Sequence, residues 1–150
     1  IPFRIDTDTK DRNESEEKTE VSIHGLHILL AEDNELNMEI AEFVLQNEGT
    51  VVTKAWNGQE AVEIFKKSRP DEVDVILMDI MMPVMNGYEA AKAIRAMNGR
   101  PDGKTIPIIA MTANSFAEDV QASLEAGMNA HLSKPIVIDE VIKTILRYVH

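Results

Sequence analysis

The sequence predicts an α/β domain: a five-stranded parallel sheet, doubly wound as (βα)5. Three observations carry that expectation. Between Leu26 and His150, short apolar runs alternate five times with longer, capped stretches of helical spacing, and strands that alternate with helices pair in parallel through right-handed crossovers. The central run, Val73 to Asp79, is apolar at Val73 and from Val75 to Met78, on both pleat faces. That pattern suits a strand covered on both sides. Acids and other polar residues stand where the runs end, and open parallel sheets hold their chemistry at the C-terminal ends of strands.

The first strand is Leu26 to Ala31, and it runs into Glu32-Asp33. Asn34 is an N-cap for a helix from Glu35 to Asn47, with Gly49 as its stop. Val51 to Ala55 is β-branched and strand-like. Asn57-Gly58-Gln59-Glu60 matches a capping box and opens a helix to about Lys67. Pro70 and Asp71 break the chain before the central strand, and Asp79 at its tip leads into the loop Ile80 to Gly87. A third helix runs from Gly87 to Met97, followed by a turn-rich loop over Asn98 to Lys104. Ile106 to Met111 is the fourth strand, with Thr112 at its exit. Ser115-Phe116-Ala117-Glu118 caps a helix that ends at Gly127. Ala130 to Ser133 is a short fifth strand before Lys134-Pro135, and Ile138 to Tyr148 is the last helix.

Residues 1–24 read as a linker, almost wholly polar from Thr7 to Glu20, with Ile1 to Ile5 as the stub of an upstream strand. The domain proper is expected over 25–150. With a first residue other than Met, the chain is expected to be a piece of a longer protein. The net charge of −11 argues against nucleic acid as a direct partner, because phosphate neutralisation needs Lys and Arg. It suits a site of several acids around a cation. The lack of cysteine removes disulfide and thiolate chemistry. No apolar run is long enough to span a bilayer and no secretory signal opens the chain, so no direct membrane contact is expected of this fragment.

In a parallel sheet the strand tips share one edge. That gathers Glu32, Asp33 and Asp79, the Thr112 hydroxyl and the Lys134 ammonium. Each residue alone has a plain reading as a helix entrance, a strand end or an exposed lysine. Together they form a constellation. Close carboxylates raise each other's pKa unless a cation offsets them. A hard divalent ion with oxygen ligands is the natural answer, and Mg²⁺ commonly takes one or two carboxylates plus water and phosphate.

Four motifs, Ala31-Glu32-Asp33-Asn34, Leu77 to Gly87, Met111-Thr112-Ala113 and Leu132-Ser133-Lys134-Pro135, resemble those of response-regulator receiver domains over roughly Leu26 to His150. The resemblance implies a flavodoxin-like strand order 2-1-3-4-5 and a phosphoacceptor module of a two-component phosphorelay. Such a module catalyses its own phosphorylation and dephosphorylation. By the likeness Asp79 takes the phosphoryl group from a phosphohistidine, and Asp33, Asp79 and the carbonyl of Met81 ligate Mg²⁺, with Glu32 acting through water. Thr112 and Lys134 contact phosphoryl oxygens, and Pro135 follows a cis peptide bond. Met81 and Asn114 stand where the family tunes dephosphorylation. The wording around Glu32-Asp33-Asn34-Glu35-Leu36-Asn37 and Ile108 to Asn114 is similar to receivers of hybrid histidine kinases. Pro2-Phe3-Arg4-Ile5 is similar to the closing strand of a kinase ATP-binding domain. The implied partners are a histidine kinase domain and a histidine phosphotransfer protein, and the implied location is cytoplasmic.

Some expectations stay open at this point. The family's switch aromatic is replaced by His131, which either couples to Thr112 or is a half-buried strand residue that switches nothing. The apolar residues of the first helix spread well beyond the ~100° that a core-facing stripe needs. Ala41, Val44 and Leu45 are expected to face the core, leaving Leu36, Ile40 and Phe43 as a docking patch unless Phe43 packs under the last helix. Two other functions compete. A haloacid-dehalogenase-type phosphohydrolase also uses a strand-end Asp but wants a second acid where Met81 stands. A phosphorylation-independent binding module does not need the full acid, hydroxyl and ammonium set.

Overall fold

A computed structural model describes residues 22–113 and 117–149, without the side chains of 117–119. Residues 1–21 of the expected linker and strand stub, Asn114 and the Ser115 cap lie outside the described residues. The element order is β1 (His27–Ala31), α1 (Glu35–Gln46), β2 (Val51–Ala55), α2 (Gly58–Lys67), β3 (Val75–Asp79), α3 (Gly87–Arg95), α4 (Asp102–Thr105), β4 (Ile108–Thr112), α5 (Ala117–Glu125), β5 (Ala130–Ser133) and α6 (Ile138–Tyr148). All strand pairs are parallel, in the order β2-β1-β3-β4-β5. The βα rhythm and the expected strand order are both present.

Alternation along the strands divides the core in two. Leu29, Ala31, Ile76, Met78, Ile108 and Ala110 face α2 and α3. Ile28, Leu30, Val75, Leu77, Ile109 and Met111 face α1 and α6. Each fully buried Ile or Leu contributes about 1.5–3 kcal/mol by leaving water, so one slip of register would move a whole face into the wrong layer. Ile23, ahead of β1, is fully buried in the second layer.

The helix starts are set by Asn side chains. Asn34 accepts from Asn37 N at 2.9 Å, and Asn86 and Glu89 form a reciprocal capping box at α3. At α2, Asn57 accepts from Glu60 N at 2.8 Å, but Glu60 Oε1 reaches back to Trp56 N, one residue short of the expected box. Gly49 ends α1 with φ +86°.

Two further expectations fail. The turn-rich loop contains α4, because Pro101 (φ −60°) pre-sets the first turn and Asp102 is pinned by Arg100. On α1, Met38, Ala41 and Leu45 are buried, whereas Val44 is only half-buried. Met38 takes the core place expected of Val44.

Candidate functional site

Parallel pairing brings four of the named side chains to one cleft at the C-terminal edge of the sheet. Glu32 follows β1 and is held by its own N–H donating to Ala55 O at 3.0 Å. Asp79 ends β3 on the neighbouring strand. Lys134 follows β5, and its N–H donates to Thr112 O at 2.9 Å. From there its Nζ reaches Glu32 Oε1 at 2.9 Å and Asp79 Oδ2 at 3.0 Å. Glu32 Oε2 accepts from Asn34 N at 3.1 Å, which ties the acid to the α1 cap. Glu32 and Asp79 are buried and Asp33 is exposed. One carboxylate oxygen from each of the three lies within 4.8 Å of the others.

The remaining named residues sit around this centre. Thr112, buried at the tip of β4, is in register with Ser133, while Asp79 is in register with Met111. The Lys134–Pro135 peptide is cis. Met81 N lies 3.4 Å from Asp79 Oδ1 and its side chain is exposed. His131 is half-buried in β5 and joins none of the carboxylates. Leu36, Ile40 and Phe43 are exposed along α1, Phe43 at 71%, so Phe43 does not pack under α6.

The loop after Asp79 is tightly determined. A Cβ at Gly87 would stand 2.4 Å from Asp79 O, so only glycine lets α3 start this close to the site. Val84 adopts φ 68°, a conformation that costs a β-branched residue on the order of 1–2 kcal/mol. Hydrogen bonds from Gly87 N to Ile80 O and from Gly58 N to Met85 O hold it there.

Burial pushes the Asp79 carboxyl up to about 6; the Lys134 hydrogen bond pulls it down, and Glu32 pushes it further up. For Lys134, burial pulls the ammonium down, but Glu32 and Asp79 outweigh it and the net direction is upward. Three carboxylates against one ammonium leave a formal charge of −2. One small divalent cation would balance it, and an all-oxygen donor set with an exposed side suits Mg²⁺. The residues therefore fit such an ion, with Glu32, Asp33 and Asp79 each offering one carboxylate oxygen.

A consequence for stability follows from linkage. The folded Asp79 pKa lies above its unfolded value, so between about pH 4 and pH 6 the metal-free folded state binds more protons, and stability falls as pH rises through that window. Asp79→Asn removes this loss. In metal-free buffer at neutral pH the variant is expected to gain on the order of 1–2 kcal/mol, with screening at the cleft rim taken into account. Urea unfolding at pH 4 and pH 7 checks this. An equal effect at both pH values contradicts it.

Sequence reasoning missed an apolar rim. Trp56, Val84 and Val137 are exposed on loops that follow β2, β3 and β5, as is the already named Met81. Single apolar residues in loops carry no sequence signal that separates rim from core.

The model of the response regulator receiver domain family matches residues 28–146. The chain belongs to that family. The receiver domain of the sensor histidine kinase PA1611 from Pseudomonas aeruginosa, solved with a magnesium ion in its active-site cleft, is 40% identical. The match covers 83% of this chain and 97% of that one, with a TM-score of 0.74. The receiver domain of the Saccharomyces cerevisiae response regulator Ssk1, solved with the histidine phosphotransfer protein Ypd1, is represented by a match at 31% identity, covering 84% of this chain and 90% of that chain, with a TM-score of 0.72. Histidine kinase 1 of Arabidopsis thaliana is 35% identical over 86% of this chain. The receiver spans only 13% of that kinase's length. No helix among its described residues is long and apolar enough to cross a membrane.

Proposed function

We propose that this receiver accepts a phosphoryl group from a phosphohistidine onto Asp79 and so carries one step of a two-component phosphorelay. The observation that carries the reading is the Lys134 ammonium bridging Glu32 and Asp79 beside a third acid. A carboxylate oxygen of Asp79 attacks phosphorus in line, the P–N bond breaks, and the leaving imidazole takes a proton. Such a transfer needs positioning and charge neutralisation rather than a base. Lys134 supplies fixed positive charge, and the Thr112 hydroxyl offers a donor to the new acyl phosphate. Asp33 and Asp79, with the Met81 carbonyl and Glu32 in support, would hold Mg²⁺, which when bound would supply positive charge beside the transferring group. Incubation with a small phosphodonor such as acetyl phosphate tests the reading. A base-labile gain of one phosphoryl group is expected, and its absence sinks the proposal.

The donor and acceptor partners are a histidine kinase domain and a histidine phosphotransfer protein, in the cytoplasm, within or beside a hybrid kinase. Leu36, Ile40 and Phe43 form the docking face, since a partner's helix must lie beside α1 for its histidine to reach the cleft. Phe43→Ala is expected to slow phosphotransfer from a phosphorylated partner about tenfold while labelling by the small donor stays unchanged. Equal rates of partner transfer would exclude the patch. His131, between this edge and α6, relays the state of Thr112; His131→Ala tests it through partner affinity with and without phosphorylation.

A further inference from the structure

The sequence holds three Asn-Gly pairs, Asn57-Gly58, Asn86-Gly87 and Asn98-Gly99, and the fold ties down only the first two. Asn57 and Asn86 are N-caps, their Oδ1 atoms accepting from Glu60 N at 2.8 Å and Glu89 N at 2.9 Å. Their glycines are buried and engaged. Gly58 N donates to Met85 O at 3.0 Å, and Gly87 N donates to Ile80 O at 2.9 Å. A Cβ would stand 2.3 Å from Met85 O at Gly58 and 2.4 Å from Asp79 O at Gly87, so both pairs are closely covered.

Asn98-Gly99 differs in each respect. It lies in the exposed turn between α3 and Arg100. Among the described residues the Asn98 side chain has no hydrogen-bond partner, and neither has the Gly99 N–H. Gly99 adopts φ +75°, and a Cβ there would meet nothing within 4 Å. The Gly99 nitrogen is therefore uncovered and unpaired, beside a carboxamide that is free to turn toward it. The nearby Asp102-Gly103 offers a similar pair of groups but is closed off. Its carboxylate is buried and gripped by Arg100, and Gly103 N donates to Arg100 O at 3.0 Å.

We propose that Asn98 is a site of self-modification, converted in the folded receiver to aspartate and isoaspartate while Asn57 and Asn86 stay intact. The Gly99 nitrogen gives its proton to solvent hydroxide and attacks Asn98 Cγ. The new C–N bond closes a succinimide ring, and the side-chain nitrogen takes a proton from water and leaves as ammonia. Water then opens the ring. Addition at Cγ breaks the new bond and gives aspartate. Addition at the main-chain carbonyl breaks the original peptide bond and gives isoaspartate, with the chain running through Cβ. In sum, water is consumed and ammonia released, with no oxidant or reductant. The turn gains a carboxylate, and its isoaspartyl form suits a carboxyl methyltransferase that draws on S-adenosylmethionine. Asn98 lies beyond the C-terminal end of α3, whereas Gly87 at the other end of that helix borders Asp79, so the change falls away from the cleft. The proposal goes beyond the phosphoacceptor reading and does not depend on it.

Ageing the receiver at mildly alkaline pH tests it, with digestion in weak acid and peptide mapping by mass spectrometry. The peptide holding Asn98 is expected to gain the mass difference between a hydroxyl and an amino group and to separate into two forms. Conversion at Asn57 and Asn86 should be at least about tenfold slower, because a cap and an amide hydrogen bond must open first. In urea both protections are lost, and the three sites should react at similar rates. Aged receiver, unlike fresh, should accept methyl groups from S-adenosylmethionine through an isoaspartyl methyltransferase, and Asn98→Gln should remove most of that uptake. No conversion at Asn98, conversion at Asn57 or Asn86 as fast as at Asn98 in the folded protein, protection of those two that persists in urea, or methyl uptake unchanged in Asn98→Gln overturns the proposal.

Discussion

Lys134→Ala is expected to slow labelling of Asp79 by a small phosphodonor on the order of 100-fold, with the fold retained. Lys134 is the one cation that touches both Glu32 and Asp79 among the described residues. Removing it takes away fixed positive charge from the place where charge shifts during transfer. It also leaves the Asp79 carboxyl with burial and Glu32 pushing its pKa up and no hydrogen-bonded ammonium pulling it down, so the residual activity should need a higher pH. Lys134→Arg keeps the charge but not the compact ammonium, and should recover only part of the rate. Single-turnover labelling across pH, with circular dichroism to check the fold, measures both effects. A rate within about threefold of wild type, less than 1 kcal/mol of barrier, would remove Lys134 from the mechanism.

Arg100→Ala is expected to lower the unfolding free energy by about 3 kcal/mol, without touching the cleft. Arg100 is a buried cation with every arm engaged. Its Nε and Nη2 grip the two Asp102 oxygens at 3.0 and 2.9 Å. Nη1 donates to Phe65 O at 2.7 Å and Lys66 O at 3.1 Å, two carbonyls at the C-terminal end of α2, where positive charge is favoured. The guanidinium also lies 4.5 Å from the centre of the Phe65 ring, a cation–π contact. Loss of the side chain therefore strands a buried carboxylate and uncaps a helix. In a domain of this size the unfolding midpoint should fall by roughly 10 °C. The Arg100 hydrogen bond holds the Asp102 carboxyl below the usual carboxylate range. The pair's contribution is thus present above the ordinary Asp pKa and fades as pH falls through the lowered one. Urea unfolding at neutral and low pH checks both the size and the direction. A loss below about 1 kcal/mol at neutral pH would mean solvent replaces these bonds cheaply.

The sheet was legible because each buried strand is a short apolar run with a polar residue at its exit. Asp79 stood out for the same reason. The tips of β1, β3 and β4 and the residue after β5 could be collected on one edge from parallel pairing alone. What could not be read was how each tip residue is used. Glu32 and Asp33 are adjacent acids in sequence, yet Glu32 is buried against Lys134 and Asp33 is exposed. That division depends on the angle at which the chain leaves β1 toward the Asn34 cap. The α4 turn was hidden because Pro101-Asp102-Gly103-Lys104 has the composition of a loop, and its helix is completed by contacts from Arg100 to the distant end of α2. The division of α1 between core and surface was legible only in part. Met38 and Val44 are both apolar at core-compatible spacing, and packing against the sheet decides between them.

The most direct test of the central claim is peptide mapping after exposure to acetyl phosphate with Mg²⁺. The account predicts one base-labile phosphoryl group on the peptide that contains Asp79, lost when the metal is chelated and lost in Asp79→Asn. Label that persists in Asp79→Asn, or that maps to any other residue, would contradict it.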